Sequence, residues 1–107
     1  MYVSETKLTT RYGETNQMGI IYHANYINYY EVARTEMIRE MGYPYQTMES
    51  DGIMMPVIEV QCKYHRPAYY DEELTIRTIV KELPTSRITF HYEIYNEKQE
   101  LINTGIA

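Results

Sequence analysis

The period of the hydrophobic pattern changes along this chain, and that change restricts what it can fold into. From Asn25 onward, Tyr26, Tyr30, Ala33, Met37 and Met41 recur at steps of three and four, with Ile27, Arg34 and Ile38 on the adjoining stripe. Such spacing is one face of an α-helix. The pattern predicts a helix of about 17 residues, near 25 Å long at 1.5 Å per residue. Gly42 and Pro44 stand just past it as a stop signal, because glycine accepts the left-handed turn that ends a helix and proline cannot continue one. After Asp51-Gly52 the period becomes two. Ile58, Val60, Cys62 and Tyr64 alternate with Glu59, Gln61, Lys63 and His65, and Ile88, Phe90, Tyr92 and Ile94 alternate with Thr89, His91, Glu93 and Tyr95. Leu74 to Val80 reads as another strand, and residues 2–12, with Val3, Leu8 and Tyr12, as a first one. Breaks fall at Arg66-Pro67 and Leu83-Pro84, where proline cannot donate to a ladder. Strands of about ten residues in a small sheet coil. The economical architecture is α+β, a single domain over residues 1–107 with one helix against a curled antiparallel sheet. The last segment, "LINTGIA", starts strand-like and stops at Ala107; a strand cut short there would leave a sheet edge incomplete.

Charge excludes one class of partner. Fifteen acidic and ten basic residues give a net charge of −5 without any basic run. Nucleic-acid affinity comes mainly from clustered Lys and Arg neutralising phosphates, so no nucleic-acid partner is expected. Thirteen tyrosines beside one Phe and no Trp must supply most of the aromatic packing. Their apolar bodies and polar tips suit half-wet places such as subunit interfaces and pocket rims. A domain of this size buries only about two-thirds of the surface its unfolded chain exposes, so oligomerisation would help it. Cys62 is the sole cysteine, which rules out an intrachain disulfide. "MYVSETKLTT" lacks the basic start and apolar run of a signal peptide, and no apolar stretch approaches the roughly 18 to 20 residues of a membrane span. The expected location is the cytoplasm.

The densest chemistry lies in "RYGETNQMGIIYHANYINYY", Arg11 to Tyr30. A loop that enters a helix leaves the first backbone N–H groups unpartnered beside the positive end of the helix dipole. Such amides polarise a carbonyl and hold an oxyanion. Gly19 lets the backbone turn tightly or approach a ligand. His23, Glu14 and Glu31 are the bases within reach. Asn16, His23 and Glu31 each have a plainer reading. Asn16 suits a turn, His23 a helix cap or a place between Tyr22 and Tyr26, and Glu31 an ion pair with Arg34 or a neighbour of Thr35. His65 and His91 fall on polar strand faces and Cys62 on an apolar one, a spacing that makes no metal site. Met48, Met54 and Met55 read as core filler or as the flexible lining of an apolar ligand pocket. Arg66 reads as solvated, with a ligand phosphate as its other possible neighbour.

"RYGETNQMGIIYHANYINYYEVARTEMIREMG" resembles the signature of the 4-hydroxybenzoyl-CoA thioesterase family, and of its YbgC-like acyl-CoA thioesterases in particular. "VQCKYHRPAYYDEELTIRT" is similar to that family's second and third long strands, so the likeness covers nearly the whole chain. The resemblance implies the hotdog fold, a long central helix wrapped by an antiparallel sheet. It also implies homodimers that often pair into homotetramers, with acyl-CoA at the dimer interface. The expected activity is hydrolysis of an acyl-CoA thioester, with no cofactor besides the CoA of the substrate and with acyl carrier protein as a further possible carrier. The expected substrate-binding residues are Gly19, Tyr22 and Tyr26. The family's catalytic aspartate falls on Asn16, and its oxyanion-holding backbone N–H on His23. An amide has no basic lone pair at neutral pH and is no carboxylate nucleophile. Three readings stay open: an engineered inactive form of an enzyme, a natural variant in which Asn16 orients water while His23 or Glu31 takes the proton, or a protein that only binds acyl-CoA.

Overall fold

A computed structural model describes residues 1–42, 56–82 and 88–107. Pro44, Met48, Asp51-Gly52, Met54, Met55 and Leu83-Pro84 lie outside the described residues. Strand β1 (Tyr2–Thr9) is followed by a single 3-10 turn at Tyr12–Glu14, helix α1 (Asn25–Glu40) and strands β2 (Gln61–Tyr64), β3 (Glu73–Val80), β4 (His91–Tyr95) and β5 (Leu101–Ile106). The strands form one antiparallel sheet in the order β1-β3-β4-β5-β2. Among the described residues, the expected α+β arrangement of one helix on one antiparallel sheet is thus observed.

Helix α1 lies where its periodicity placed it. It buries Tyr26, Tyr29, Tyr30, Ala33, Met37 and Ile38. Tyr29 rather than Ile27 joins the inner stripe, and Met41 is exposed because the helix has already ended. Gly42 takes φ +82° and donates its N–H to the Arg39 carbonyl at 2.9 Å, the left-handed closure expected of it. Opposite the helix, Leu74, Ile76, Tyr92, Ile94 and Ile102 supply the inner face of the sheet. Tyr30 stacks on Tyr92 with centroids 4.3 Å apart and planes 8° from parallel. The Tyr30 hydroxyl donates to Asn103 Oδ1, while Asn103 Nδ2 donates to Cys62 Sγ at 3.3 Å, so these buried polar groups partner one another.

One expectation needs correction. The strands are shorter than ten residues, and β2 has only four. At its end the His65 and Arg66 amides converge on one acceptor, the Ile102 carbonyl, at 2.9 and 3.1 Å; this breaks the register just before Pro67. The final strand β5 lies between β4 and β2, so among the described strands the edges are β1 and β2, and Ala107 pairs with Phe90 through two bonds of 2.9 Å.

Candidate active site

The loop from Thr15 to Ala24 is held from both ends. Its first half is a tight turn. The Asn16 N–H donates to the Ile20 carbonyl at 2.9 Å, the Gly19 N–H donates to the Asn16 carbonyl at 3.0 Å, and Gly19 takes φ +78°. Asn16 Oδ1 also accepts the Met18 N–H at 2.9 Å, the self-bonding turn that favours Asn or Asp. Its second half is pinned to the connection before β3, where Ile21 donates to the Ala68 carbonyl at 2.9 Å.

Glu14 frames this loop. Its backbone carbonyl accepts the Tyr22 N–H and Asn25 Nδ2, each at 2.9 Å. Its carboxylate accepts the Arg11 N–H at 2.8 Å and the Tyr29 hydroxyl at 2.9 Å. Burial would raise the carboxyl's pKa, but the bonds from Arg11 and Tyr29 outweigh it and hold Glu14 below the usual carboxylate range. Sequence reasoning set Glu14 among the bases. Its carboxylate is engaged with Arg11 and Tyr29, and it lines a separate groove with Asn25, Asn28 and Val32.

The helix entrance is uncapped. Ala24 occupies the N-cap, where Ser, Thr, Asp or Asn would bond the first amides, and it has no side chain to do so. Among the described residues neither the His23 nor the Ala24 N–H finds an acceptor. The His23 ring packs between Tyr22 and Tyr64, at centroid distances of 4.4 and 6.2 Å, rather than between Tyr22 and Tyr26. Tyr26 instead meets Tyr29 and Tyr64 edge-on, at 5.6 and 5.4 Å.

A pocket of about 390 Å³ opens beside this entrance, within the range of small-ligand sites. Asn16, His23 and Tyr26 line it together with Met18, Tyr64 and Pro67. Of the other residues expected at the site, Gly19 lies behind Asn16 in the turn and Tyr22 flanks the His23 ring from the exposed side. Glu31 stands on the exposed face of α1, outside the pocket lining, and its carbonyl accepts the Thr35 hydroxyl at 2.8 Å. His65 is at the pocket rim and bonds Thr104 Oγ1 at 3.0 Å. Arg66 pairs with Glu100 at 3.3 Å. Sequence reasoning did not select Tyr64 for the site; the proline break three residues later, which ends its edge strand, was the available signal.

One helix on a coiled antiparallel sheet, with a polar loop feeding its uncapped start, defines the hotdog class. Residues 18–103 match the family model of the Thioesterase superfamily, and the chain belongs to that family as a YbgC-like member. It is 39% identical over 101 residues to YneP of Bacillus subtilis (strain 168), covering 94% of this chain and 73% of that one. It is 32% identical over 92 residues to the acyl-CoA thioester hydrolase YbgC of Escherichia coli O6:H1, covering 86% and 69%. A crystal structure of a DHNA-CoA thioesterase from Staphylococcus aureus superposes with a TM-score of 0.94 at 40% identity, over 99% of this chain and 71% of that one. These relatives support a thioester hydrolase. Among the described residues no helix is long and apolar enough to cross a membrane.

Proposed function

We propose that this chain hydrolyses an acyl-CoA thioester to a carboxylic acid and free CoA at the pocket beside the helix entrance. The observation that carries the reading is the His23 amide, which has no acceptor among the described residues and belongs to a residue lining the pocket. A thioester carbonyl seated there would meet this N–H and the positive end of the α1 dipole, which favour the oxyanion formed when water adds to the carbonyl carbon. The C–S bond then breaks and CoA leaves as the thiolate. Asn16 orients the water, and the water's proton passes to the His23 ring or to Glu31. Position favours His23, because Glu31 is not part of the pocket lining. Gly19, Tyr22 and Tyr26 serve substrate binding, Gly19 and Tyr22 through the residues they support.

A second reading, binding without turnover, is favoured by one observation: Asn16 Oδ1 is already engaged by the Met18 N–H. Thiol release from short, medium and aromatic acyl-CoAs, and from acyl carrier protein loaded with the same groups, separates the two. Turnover by this chain supports hydrolysis; saturable binding with none, even after Asn16→Asp, supports the binding protein. A homodimer or homotetramer suits the exposed edge strand β2 and the exposed Val57 and Ile58 before it, and sedimentation measures it.

A further inference from the structure

The Tyr64 hydroxyl, from the edge strand β2, donates to the His23 carbonyl at 3.0 Å across 41 residues of sequence. That carbonyl belongs to the same peptide plane as the unpartnered Ala24 N–H. The other bond to it, from the Tyr26 N–H, is long at 3.4 Å, so Tyr64 provides its better-formed contact. The preceding peptide plane, which carries the His23 N–H, is fixed independently, because the Tyr22 carbonyl accepts the Asn25 N–H at 3.0 Å. Two consecutive planes thus present two free amides at the helix start, one secured within the loop and the other by Tyr64.

We infer that Tyr64 is a positioning residue for thioester hydrolysis: by bonding the His23 carbonyl it fixes and polarises the His23–Ala24 peptide, making Ala24 N–H a second donor to the substrate carbonyl beside His23 N–H. The inference rests on the proposed acyl site at the helix entrance. A hydrogen bond accepted at one end of a peptide group strengthens the donor at its other end. A preorganised donor acts on a developing oxyanion without reorganising during the reaction. The ring of Tyr64 is held edge-on by Tyr26 and His23, so its hydroxyl is aimed and not merely nearby. Burial first, then the neighbouring Cys62 thiol, pushes the Tyr64 hydroxyl up to about 12, which keeps it a protonated donor throughout the neutral range.

The test uses Tyr64→Phe, which keeps the ring contacts and removes only the hydroxyl. Butanoyl-CoA and benzoyl-CoA labelled with ¹³C at the thioester carbonyl are bound to the full chain, and the carbonyl stretch is read by difference infrared spectroscopy. Wild type is expected to shift the stretch to lower frequency, and Tyr64→Phe to lose a large part of that shift with affinity held within about threefold. Where turnover is measurable, kcat falls about tenfold while KM stays nearly constant, because the effect is felt in the transition state. Replacing Tyr64 by 3-fluorotyrosine, a stronger donor of the same shape, is expected to move the stretch in the opposite direction from Tyr64→Phe. If wild type shows the shift and Tyr64→Phe keeps it in full, the acyl site stands and the role of Tyr64 is overturned. If neither thioester binds, or wild type itself shows no shift, the acyl site is overturned and the inference falls with it.

Discussion

The Tyr29 hydroxyl donates to the Glu14 carboxylate at 2.9 Å, joining the second turn of α1 to the short 3-10 turn that launches the functional loop. With the Arg11 N–H on the same carboxylate and Asn25 and Tyr22 on the Glu14 carbonyl, one residue holds the loop at four points. Glu14→Gln removes the charge from this hub and is expected to cost about 1.5 to 3 kcal/mol at pH 7, the range for hydrogen bonds to a charged group. The dependence on pH has a definite sign. The folded carboxyl titrates below its ordinary value of 4.5, so its stabilising contribution is complete above that pH and is lost as pH falls through the folded value. Urea unfolding from pH 3 to 7 should show a flatter acid limb in the variant than in wild type.

Gly105 lies flat beneath the Tyr30 ring, and a Cβ built there would fall inside the contact distance of the ring and its hydroxyl. Backbone strain is not the issue. Gly105→Ala must displace a buried ring that stacks on Tyr92 and bonds Asn103, so overpacking should cost about 1 to 3 kcal/mol. Adding Tyr30→Leu should cost less than the sum of the two single changes, because the displaced ring is then gone. Additive losses in urea titrations would show that the clash is not what matters.

His91 is held below the ordinary 6.5 by burial first and by Lys81 second, with Glu82 acting in the opposite sense. The folded state therefore favours the neutral ring. Its contribution to stability is present above pH of about 6.5 and is lost as pH falls through the depressed folded value. An NMR titration of the ring protons should place wild type below 6.5 and move upward, but not all the way, in Lys81→Met. No movement would assign the depression to burial alone.

The helix was legible in the sequence because Tyr26, Tyr30, Ala33 and Met37 repeat at a helical spacing that burial then enforces. The alternating strands were legible for the same reason, and Leu74 and Ile76 are completely buried. Strand lengths were not, because a run such as Ile58 to Tyr64 shows which residues share a face and not where a partner strand loses register; the convergence on the Ile102 carbonyl decides that. The site divides in the same way. Gly19 and Asn16 reveal a turn through local backbone chemistry. The Tyr64–His23 and Tyr29–Glu14 bonds join residues 41 and 15 positions apart, and only the fold brings them together.

Asn16→Asp puts the greatest demand on the proposed chemistry. The native amide oxygen bonds the Met18 N–H, and an aspartate can keep that bond with one oxygen while the second is left to act on water or on the thioester carbon. The turn should survive, since Asp suits the same self-bonding conformation and the Asn16 backbone bonds to Ile20 and Gly19 do not involve the side chain. Stability is therefore expected to change by less than about 1 kcal/mol. A positioned base contributes about 10²- to 10⁴-fold, so thiol release from a suitable acyl-CoA should rise by a factor in that range. The gain should grow with pH through the carboxylate's titration and level off once it is ionised, whereas the native chain should lack that acid limb. A variant that folds, binds CoA thioesters as before and gains nothing in thiol release would remove water activation at position 16 from the mechanism.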